Sequence, residues 1–547
     1  MKRFKRNVEK IDSIRDMLKR ALEKNPDHVA FTYKENGKIV EKTVGNLYDS
    51  TSLLGTALLL MGHRNTHIAC VGENSYNWIE TYLTVLMSDS VFVPLDRELP
   101  IKDLVYLINE SDSTVVFCDK KREKLLLEHE SEMPAVRAFI TFEREESEGK
   151  FLSYNKFKRS AVPYDKSEYE NIKNDPNALK DLVYTSGTTG VAKGVMLSEH
   201  NLVSSIYYGL GVSSLYNTGL SVLPYNHTYE AVCDILVSIH AGTTLAINDS
   251  LKNVQNNMKL FKPSYVYLVP AFAEHFYNAI NKNIDKTGKR RLFNTMVRLS
   301  SFLLKFGIDL RRKIFKSILK EFGGNLDRIV CGGAKIRPEI GKFFGDIGIC
   351  MTGGYGITEC SPLVSVNDER DNNYSSAGHR LACLEWKIDE PSEEGIGEIL
   401  VKGDVVMLGY YKRPDLTREV LSEDGWFRTG DYGYINERDE VVITGRKKNI
   451  IVLNNGKNIY PEEIEGYIQN LPSVIEVVVS GIKNEHGEDV GLLASVYTGE
   501  EEIDQKTLET DIRLAMRALP SYKQISRLEI RSEPFPKTTT NKIKRTA

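Results

Sequence analysis

The sequence has 547 residues, more than the roughly 250–300 that one hydrophobic core organises, so a single-domain protein is excluded. With 41% hydrophobic residues, 27% charged residues and a formal net charge of −3, it lacks the basic excess of a nucleic-acid-binding protein. Its seven cysteines form no Cys-x-x-Cys pair, which favours a reducing cytoplasm, and no apolar run is long enough for a signal peptide or a membrane span.

The first 120 residues alternate between helical and extended patterns. Apolar residues at helical spacing predict a helix over 11–22, and the polar segment 34–38 is typical of a hairpin turn. Apolar β-branched runs at 68–71, 91–95 and 114–118 are separated by helical patterns. This order predicts βαβ units, and therefore an α/β fold with parallel-rich sheets.

The pattern of predicted secondary-structure elements changes near the C-terminus. A predicted strand at 441–445 leads into the basic residues 446–448, which are followed by short strands and helices. We therefore expect a large N-terminal domain over residues 1–446 and a small α+β domain over residues 447–547.

A loop of small and hydroxyl residues follows the apolar segment 182–184. Glycines allow close backbone approach to an anion, successive N–H groups form an anion-binding nest, and a lysine adds a positive charge. This is not a Walker A loop, because Gly190 lies three residues before Lys193 and Gly194 follows it. The segment predicts a phosphate-binding loop whose residues are Thr185, Ser186, Gly187, Thr188, Thr189, Gly190 and Lys193.

Two glycine-rich segments and one histidine-containing segment follow the loop. Residues 223–230 carry His227, residues 331–335 carry Gly332, Gly333 and Ala334, and residues 353–359 carry Tyr355, Gly356, Thr358 and Glu359. A tyrosine can stack on a flat base, and a carboxylate supplies the hard oxygen that Mg²⁺ prefers. Tyr355 and Glu359 therefore have the chemistry that a flat base and a magnesium ion require.

Three further segments complete the pattern. Residues 425–431 end in Asp431, whose carboxylate can accept from both hydroxyls of a ribose. Residues 445–451 contain Arg446 and Lys448, and residues 536–543 contain Lys542.

These segments, in this order, resemble the adenylate-forming, or AMP-binding, superfamily, and most of all its long-chain fatty acyl-CoA synthetases. The resemblance implies that the loop and Lys193 bind the phosphates of ATP. It also implies that Gly332, Gly333, Ala334, Tyr355 and Gly356 contact adenine, and that Thr358 and Glu359 act on phosphate and Mg²⁺. His227 would line the acid pocket, Asp431 would bind the ribose, Arg446 would contact the nucleotide, Lys448 would be a hinge and Lys542 would be the catalytic lysine.

Two positions and one spacing depart from the family pattern. Ala192 stands where proline is usual, and Asn541 stands where glycine is usual. The spacing from Arg446 to Gly456 is one residue longer than in many relatives, which could reshape the loop that borders the thiol acceptor.

The implied activity is an AMP-forming acid–thiol ligase. A carboxylic acid would react with ATP to give an acyl-adenylate and pyrophosphate, and coenzyme A would then take the acyl group while the C-terminal domain rotates on its hinge. The long segment 278–322 resembles that of long-chain enzymes, so a medium- or long-chain fatty acid is expected. Three alternatives stay open: a ligase that loads an acyl carrier protein, a luciferase-like oxidoreductase and a nucleotide-binding pseudoenzyme.

Basic and apolar residues interleave over 289–305, as in a helix that lies at a membrane surface. The expected location is therefore the cytoplasm, with peripheral contact at the inner face of a membrane through the segment 289–320. The alternative is a helix that packs its apolar face on the domain and leaves its lysines in water.

Overall fold

Strands and helices alternate along most of the described residues, in which the strands build five β-sheets. The structure, a computed structural model, describes residues 7–185, 192–215, 217–454, 457–499, 503–537 and 543–545. The chain forms two compact units. The first comprises Met1–Tyr374, Gly378–Glu385 and Lys402–Gly425, and the second comprises Ser375–Ala377, Trp386–Val401 and Trp426–Ala547.

The strands are β1 Val29–Glu35, β2 Lys38–Thr43, β3 His67–Val71, β4 Val91–Leu95, β5 Ser113–Cys118, β6 Ala138–Thr141, β7 Phe151–Ser153, β8 Leu179–Thr185, β9 Lys193–Ser198, β10 Thr218–Ser221, β11 Thr244–Ile247, β12 Tyr265–Leu268, β13 Arg328–Cys331, β14 Cys350–Gly356, β15 Leu363–Val366, β16 His379–Arg380, β17 Leu384–Asp389, β18 Gly397–Gly403, β19 Gly409–Tyr410, β20 Phe427–Ile435, β21 Val441–Arg446, β22 Ile451–Val452, β23 Asn458–Ile459, β24 Glu476–Lys483, β25 Asp489–Tyr497 and β26 Arg527–Arg531.

The α-helices are α1 Ile14–Lys24, α2 Val44–Leu60, α3 Tyr76–Leu86, α4 Ile101–Glu110, α5 Lys120–Glu128, α6 Tyr154–Arg159, α7 Ser167–Glu170, α8 Glu199–Val212, α9 Thr228–Glu230, α10 Val237–Ala241, α11 Val254–Phe261, α12 Pro270–Lys286, α13 Arg290–Leu304, α14 Arg311–Ile314, α15 Lys316–Glu321, α16 Pro338–Asp346, α17 Pro414–Val420, α18 Pro461–Ile468 and α19 Gln505–Ala515.

Two large sheets form the first unit. One has eight strands in the order β19-β9-β8-β4-β3-β5-β6-β7, with parallel pairing from β8 through β7 and antiparallel pairing at β8–β9 and β9–β19. The other has nine strands in the order β16-β15-β14-β13-β12-β10-β11-β1-β2, and its central strands are parallel. The α/β, parallel-rich prediction is confirmed.

The predicted local elements are also present. The helix predicted over 11–22 begins at Ile14, because the Ser13 side chain accepts a hydrogen bond from the Asp16 backbone N–H as an N-cap. Strands β1 and β2 form the expected hairpin, and β3, β4 and β5 coincide with the predicted apolar runs.

Each large sheet has its own apolar core. Helices α4 and α5 cover the eight-stranded sheet with fully buried residues that include Leu104, Ile108 and Leu126. Helices α12, α13, α15 and α16 pack over the nine-stranded sheet around Phe344 and Leu319. Parallel strands buried in this way need apolar side chains on both faces, which explains the continuous apolar runs in the sequence.

The second unit contains a four-stranded sheet, β17-β18-β20-β21, and a three-stranded sheet, β24-β25-β26. Helices α18 and α19 bury Ile464, Ile468 and Leu508 against the latter. Residues 375–377 and 386–401 also belong to this unit, which therefore begins before residue 446. The domain boundary predicted at residue 446 was placed at the expected hinge, and it remains a prediction.

Within the described ranges, no helix combines the length and the apolar character needed to cross a bilayer.

Gly55 in α2 lies in a tightly packed part of the first unit. A Cβ atom on Gly55 would lie 2.1 Å from Cε2 of Tyr169, a buried residue whose hydroxyl donates to the Thr84 carbonyl. Gly55→Ala should therefore lower the free energy of unfolding of this unit by about 2 kcal/mol, measured by urea titration.

Gly466→Ala in α18 is the control: a Cβ there meets nothing within 4 Å, so stability should stay the same or rise by at most about 1 kcal/mol. Equal losses would contradict the packing argument.

Candidate active site

The predicted phosphate loop lies between two paired strands. The last residue of β8, Thr185, pairs with the first residue of β9, Lys193, so the base of the loop is a β-hairpin. The predicted residues Ser186, Gly187, Thr188, Thr189 and Gly190 lie outside the described part of the chain. The structure thus fixes where the loop starts and ends, and it places Lys193 at the end.

Lys193, Tyr410 and Glu359 lie next to one another. The Nζ atom of Lys193 lies 5.0 Å from the centroid of the Tyr410 ring, within the range of a cation–π contact. The Tyr410 hydroxyl donates to Oε1 of Glu359 at 2.9 Å. One tyrosine therefore contacts both the predicted phosphate lysine and the predicted magnesium ligand. Sequence reasoning missed Tyr410, whose one local signal is its place in a Gly-Tyr-Tyr segment before Pro414.

Backbone pairing brings Tyr410 to this place. Strand β19 pairs antiparallel with β9, and Tyr410 lies opposite Val195. The Met407 backbone N–H donates to the Glu359 carbonyl at 2.9 Å. The Asn201 side chain, which also forms the capping box of α8 with Ser198, donates to the carbonyls of residues 404 and 406. Three separate parts of the chain are thus held together around Glu359.

The surroundings keep Tyr410 a neutral hydrogen-bond donor. Burial and the neighbouring Glu359 carboxylate raise the pKa of the Tyr410 hydroxyl well above its ordinary value. Glu359 follows β14 in a single helical turn, Thr358–Cys360, which also carries the predicted phosphate donor Thr358. Among the residues that the structure describes, no hydrogen bond or ion pair reaches the second carboxylate oxygen of Glu359.

Glu359 fits a magnesium ion that is shared with a nucleotide. No group of three His, Cys, Asp or Glu side chains able to hold a metal occurs among the residues that the structure describes. Mg²⁺ commonly binds through one or two carboxylates, substrate phosphates and water, so a single carboxylate beside a phosphate loop is a suitable donor. Thr358 and Glu359 are the residues that would hold such a complex on this side.

A largely apolar cavity that is partly open to solvent lies in the first unit. It joins residues from the predicted acid and adenine segments with residues of α8. The lining includes Tyr229, Cys233, Val237, Gly332, Gly333, Tyr355, Gly356, Ser205, Gly209 and Leu210. The structure therefore brings Gly332, Gly333, Tyr355 and Gly356, the residues predicted to contact adenine, together around one apolar cavity.

The acid segment contributes Tyr229 to the cavity wall. His227 is the residue before α9 and is not among the described residues that line the cavity. The Tyr229 hydroxyl donates to the Val330 carbonyl at 3.1 Å, and a Cβ on Gly332 would lie 2.9 Å from Cζ of Tyr229. Gly332 is thus required for the close approach of this ring, while Ala334 is exposed at the end of the same segment.

The second unit holds the predicted ribose and nucleotide residues as an ion pair. Asp431 and Arg446 are opposite each other on β20 and β21, and Nε of Arg446 lies 2.7 Å from Oδ1 of Asp431. The Asp431 side chain is 3% exposed, whereas that of Arg446 is 43% exposed. The carboxylate is therefore fixed within the sheet, and the guanidinium remains accessible.

The predicted hinge lies in the helical turn Lys447–Asn449. Lys447 forms an ion pair of 2.8 Å with Glu398, whose hydrogen bond raises the pKa of the lysine. Lys448 is exposed and forms no ion pair with the residues described here. The turn is thus anchored by the residue next to the predicted pivot.

Lys542 lies outside the described residues, but both flanks of its segment are fixed. Lys537 and Ile543 form an antiparallel bridge, and Lys537 pairs with Glu476 at 2.7 Å. On the other side, Arg545 donates to both carboxylate oxygens of Glu465. The segment that carries Lys542 therefore begins and ends at defined points of the second unit.

The first unit of this α/β protein contains the hairpin at the base of the predicted phosphate loop, the Tyr410–Glu359 hydrogen bond and an apolar cavity lined by the predicted adenine segments. Residues 18–411 match the AMP-binding enzyme family, and residues 448–547 match the AMP-binding enzyme C-terminal domain. The chain belongs to the AMP-binding enzyme family.

Curated relatives share about a quarter of their residues with this chain. A long-chain-fatty-acid–CoA ligase of Mycobacterium bovis is 26% identical over 481 residues, which cover 84% of this chain and 78% of the relative. A chloroplastic long-chain-fatty-acid–[acyl-carrier-protein] ligase of Arabidopsis thaliana is 26% identical over 545 residues, covering 86% of this chain and 74% of the relative.

Solved structures share the fold. ATP-bound MatB from Rhodopseudomonas palustris superimposes with a TM-score of 0.76 at 22% identity, covering 97% of each chain. An anthranilate CoA ligase in complex with anthranoyl-AMP gives a TM-score of 0.77 at 18% identity, covering 99% of this chain and 97% of the other. These matches confirm the predicted α/β fold.

Tyr410 offers a test of the magnesium side of the site. Tyr410→Phe removes the hydroxyl that holds Glu359 but keeps the ring beside Lys193. Because partners of a metal ligand typically contribute 10- to 100-fold to affinity, the Kd for ATP should rise about 10-fold at limiting Mg²⁺ and recover when Mg²⁺ is raised. Isothermal titration calorimetry at several Mg²⁺ concentrations measures this change.

Tyr411→Phe is the matched control. Its hydroxyl donates to Asp112 at 2.7 Å, away from Glu359, so its Kd for ATP should stay within about 2-fold of the wild type. A Tyr410→Phe effect that is independent of Mg²⁺ would show that the hydroxyl does not act through Glu359.

Proposed function

We propose that the chain activates a medium- or long-chain fatty acid with ATP and transfers the acyl group to coenzyme A. One observation carries the proposal: a single apolar cavity is lined by Tyr229 of the predicted acid segment and by Gly332, Gly333 and Tyr355 of the predicted adenine segments. An acid whose tail fills this space would present its carboxylate close to the nucleotide. The names of the curated relatives point to the same substrates.

In the proposed first step, a carboxylate oxygen attacks the α-phosphorus of ATP. The bond from that phosphorus to the β-phosphate bridging oxygen breaks, and pyrophosphate leaves with the electron pair. No proton needs to be removed, so the demand on the protein is positive charge near the phosphoryl oxygens. Lys193 and Lys542 would supply it, and Mg²⁺ bound at Glu359 would neutralise phosphate charge.

In the proposed second step, the thiolate sulfur of coenzyme A attacks the acyl carbonyl carbon. The bond from that carbon to the phosphate oxygen breaks, and AMP leaves with the electron pair. The hinge role of Lys448 and the ribose role of Asp431 belong to this proposal, as does a cytoplasmic location. None of the residues proposed here provides a specific site for an oxygenase reaction. The presence of both Lys193 and Lys542 argues against a nucleotide-binding pseudoenzyme.

Pyrophosphate release from Mg-ATP across a panel of fatty acids tests the activity. The wild type should release pyrophosphate only with acid, and multiple turnovers should require coenzyme A. Lys542→Ala should lower the rate roughly 100- to 1,000-fold, the usual loss for one electrostatic stabiliser of a transition state. Acid-independent release, or none with any acid, would reject the proposal.

A carrier-protein ligase is the second candidate, because the Arabidopsis relative is named as one. The two candidates share every nucleotide residue and differ in the acceptor. Acyl transfer to a phosphopantetheinylated carrier protein but not to coenzyme A would select the second candidate, and the reverse result would select the first.

Gly209 tests whether the cavity holds the acyl chain. A Cβ atom there would lie 3.3 Å from Cδ2 of Leu363, so the longer side chain of Gly209→Leu should fill cavity space. Turnover of long acids should fall about 10- to 100-fold, while a four-carbon acid, which does not reach the filled region, should keep its rate within about 2-fold. Equal losses with both acids would place the acyl chain elsewhere.

A further inference from the structure

The apolar cavity of the first unit has two ends, and strand β13 leads from one to the other. Gly332, predicted to contact adenine, lines the cavity directly after β13, and Val330 lines it from within the strand. Arg328 and Val330 share one face of β13, because successive residues of a strand point to opposite faces. Arg328 therefore lies about 7 Å beyond Val330, on the side away from the adenine segment.

Strand β15 leads to the same end of the cavity. It runs antiparallel to β14 and begins with Leu363 opposite Gly356, at the adenine end. Its last residue, Val366, still lines the cavity, and the chain then continues to Glu369. The carboxylate of Glu369 is thus carried past the cavity wall, in the direction in which Arg328 lies.

Helix α8 follows the cavity along its length. Ser205, Gly209 and Ser213 line the cavity and recur every four residues, on one side of the helix. A Cβ on Gly209 would lie 3.3 Å from Cδ2 of Leu363, whereas Ser213 lies one helical turn further from the adenine end. The three positions span about 12 Å of the cavity.

An ion pair lies where these three elements meet. Arg328 and Glu369 are 2.5 Å apart, and their side chains are only 11% and 12% exposed. The Arg328 guanidinium also donates to Oγ of Ser213 at 3.4 Å and to the Ser214 carbonyl. The Ser214 hydroxyl donates to Oε1 of Glu369 at 3.0 Å. We call the pair of Arg328 and Glu369 the ionic floor, because it lies directly behind Ser213 at the end of the cavity.

We propose that the ionic floor sets the longest acyl chain that the cavity accepts and limits the substrates to medium-chain acids. The inference rests on the proposed function, since it requires the cavity to hold the acyl chain. A chain that extends beside α8 has about 12 Å before it reaches Ser213, which suits a medium-chain acid. The floor thereby selects among the acids that the proposed function leaves open.

The charge of the floor makes the length limit steep. Apolar side chains at the end of a cavity can repack around an additional methylene group at a modest cost. A nearly buried ion pair cannot be displaced in this way, because separating its partners leaves two poorly solvated charges without compensation. Affinity should therefore rise with chain length up to the floor and then fall sharply.

Isothermal titration calorimetry with straight-chain acids, from butanoate to tetradecanoate, tests the floor without requiring turnover. In the wild type the Kd should fall by about 4-fold for each added methylene until the limit is reached, and then rise at least about 10-fold. A variant with both Arg328→Ala and Glu369→Ala removes the floor without leaving a single unpaired charge. It should bind tetradecanoate at least about 10-fold more tightly than the wild type, with hexanoate affinity within about 2-fold.

A second variant moves the limit in the opposite direction. Ser213→Leu adds apolar bulk in front of the floor, so the longest acid that binds should become shorter. Gly209→Leu lies one helical turn nearer the adenine end and should shorten the limit further. This order of limits is readable even where removal of the ion pair prevents folding.

The matched control removes a comparable ion pair elsewhere. Arg144 pairs with Glu123 of α5, and their side chains are 20% and 12% exposed. Replacing both with Ala should leave the length limit unchanged, and melting temperatures of all variants check folding.

The outcomes separate the floor from the proposed activity. A limit that neither the floor variant nor Ser213→Leu moves would overturn the ionic floor, while acid-dependent pyrophosphate release would still support the proposed function. A limit that moves as expected, without pyrophosphate release for any acid, would support the floor and reject the activity. If no acid binds at any length, both inferences are wrong.

Discussion

The short antiparallel pairing of β19 with β9 holds the nucleotide side of the first unit together. It places Tyr410 against the strand that starts with Lys193, and the hydroxyl of this tyrosine then holds Glu359. A two-residue strand is weak by itself. Here it is supported by backbone hydrogen bonds from Met407 to Glu359 and by the side chain of Asn201, so the arrangement depends on several contacts at once.

This arrangement separates opposite charges without neutralising them. A direct ion pair between Lys193 and Glu359 would satisfy both groups and would have to be broken for a phosphate and a magnesium ion to bind. With a neutral tyrosine between them, the lysine contacts the ring face and the carboxylate accepts from the hydroxyl. Lys193 and Glu359 can therefore each still bind a ligand of the opposite charge, as expected of a site that stabilises charge on its ligand.

In the second unit, buried carboxylates are instead compensated directly by ion pairs. Asp431 is buried in the sheet, where an unpaired carboxylate would be costly, and Arg446 compensates its charge from the adjacent strand. Glu398 is likewise buried, and it is matched by Arg428 and Lys447 beside the predicted hinge. Ion pairs across β18, β20 and β21 therefore compensate the buried carboxylates of the four-stranded sheet.

The sequence by itself determined the features that adjacent residues encode. Alternating apolar periodicity predicted the α/β fold, and a contiguous small-residue segment predicted the loop between Thr185 and Lys193. The roles of Lys542 and Lys448 stay predictions, since they come from motif resemblance alone.

Only the tertiary structure revealed Tyr410, placed Tyr229 in the cavity wall, and left Leu292, Leu299 and Phe302 of α13 exposed. Each of these three observations depends on which strands and helices, distant in the sequence, pack against one another. One sequence records the side chains of a strand or helix but not the partner against which they pack, because pairing and packing join residues far apart in the chain.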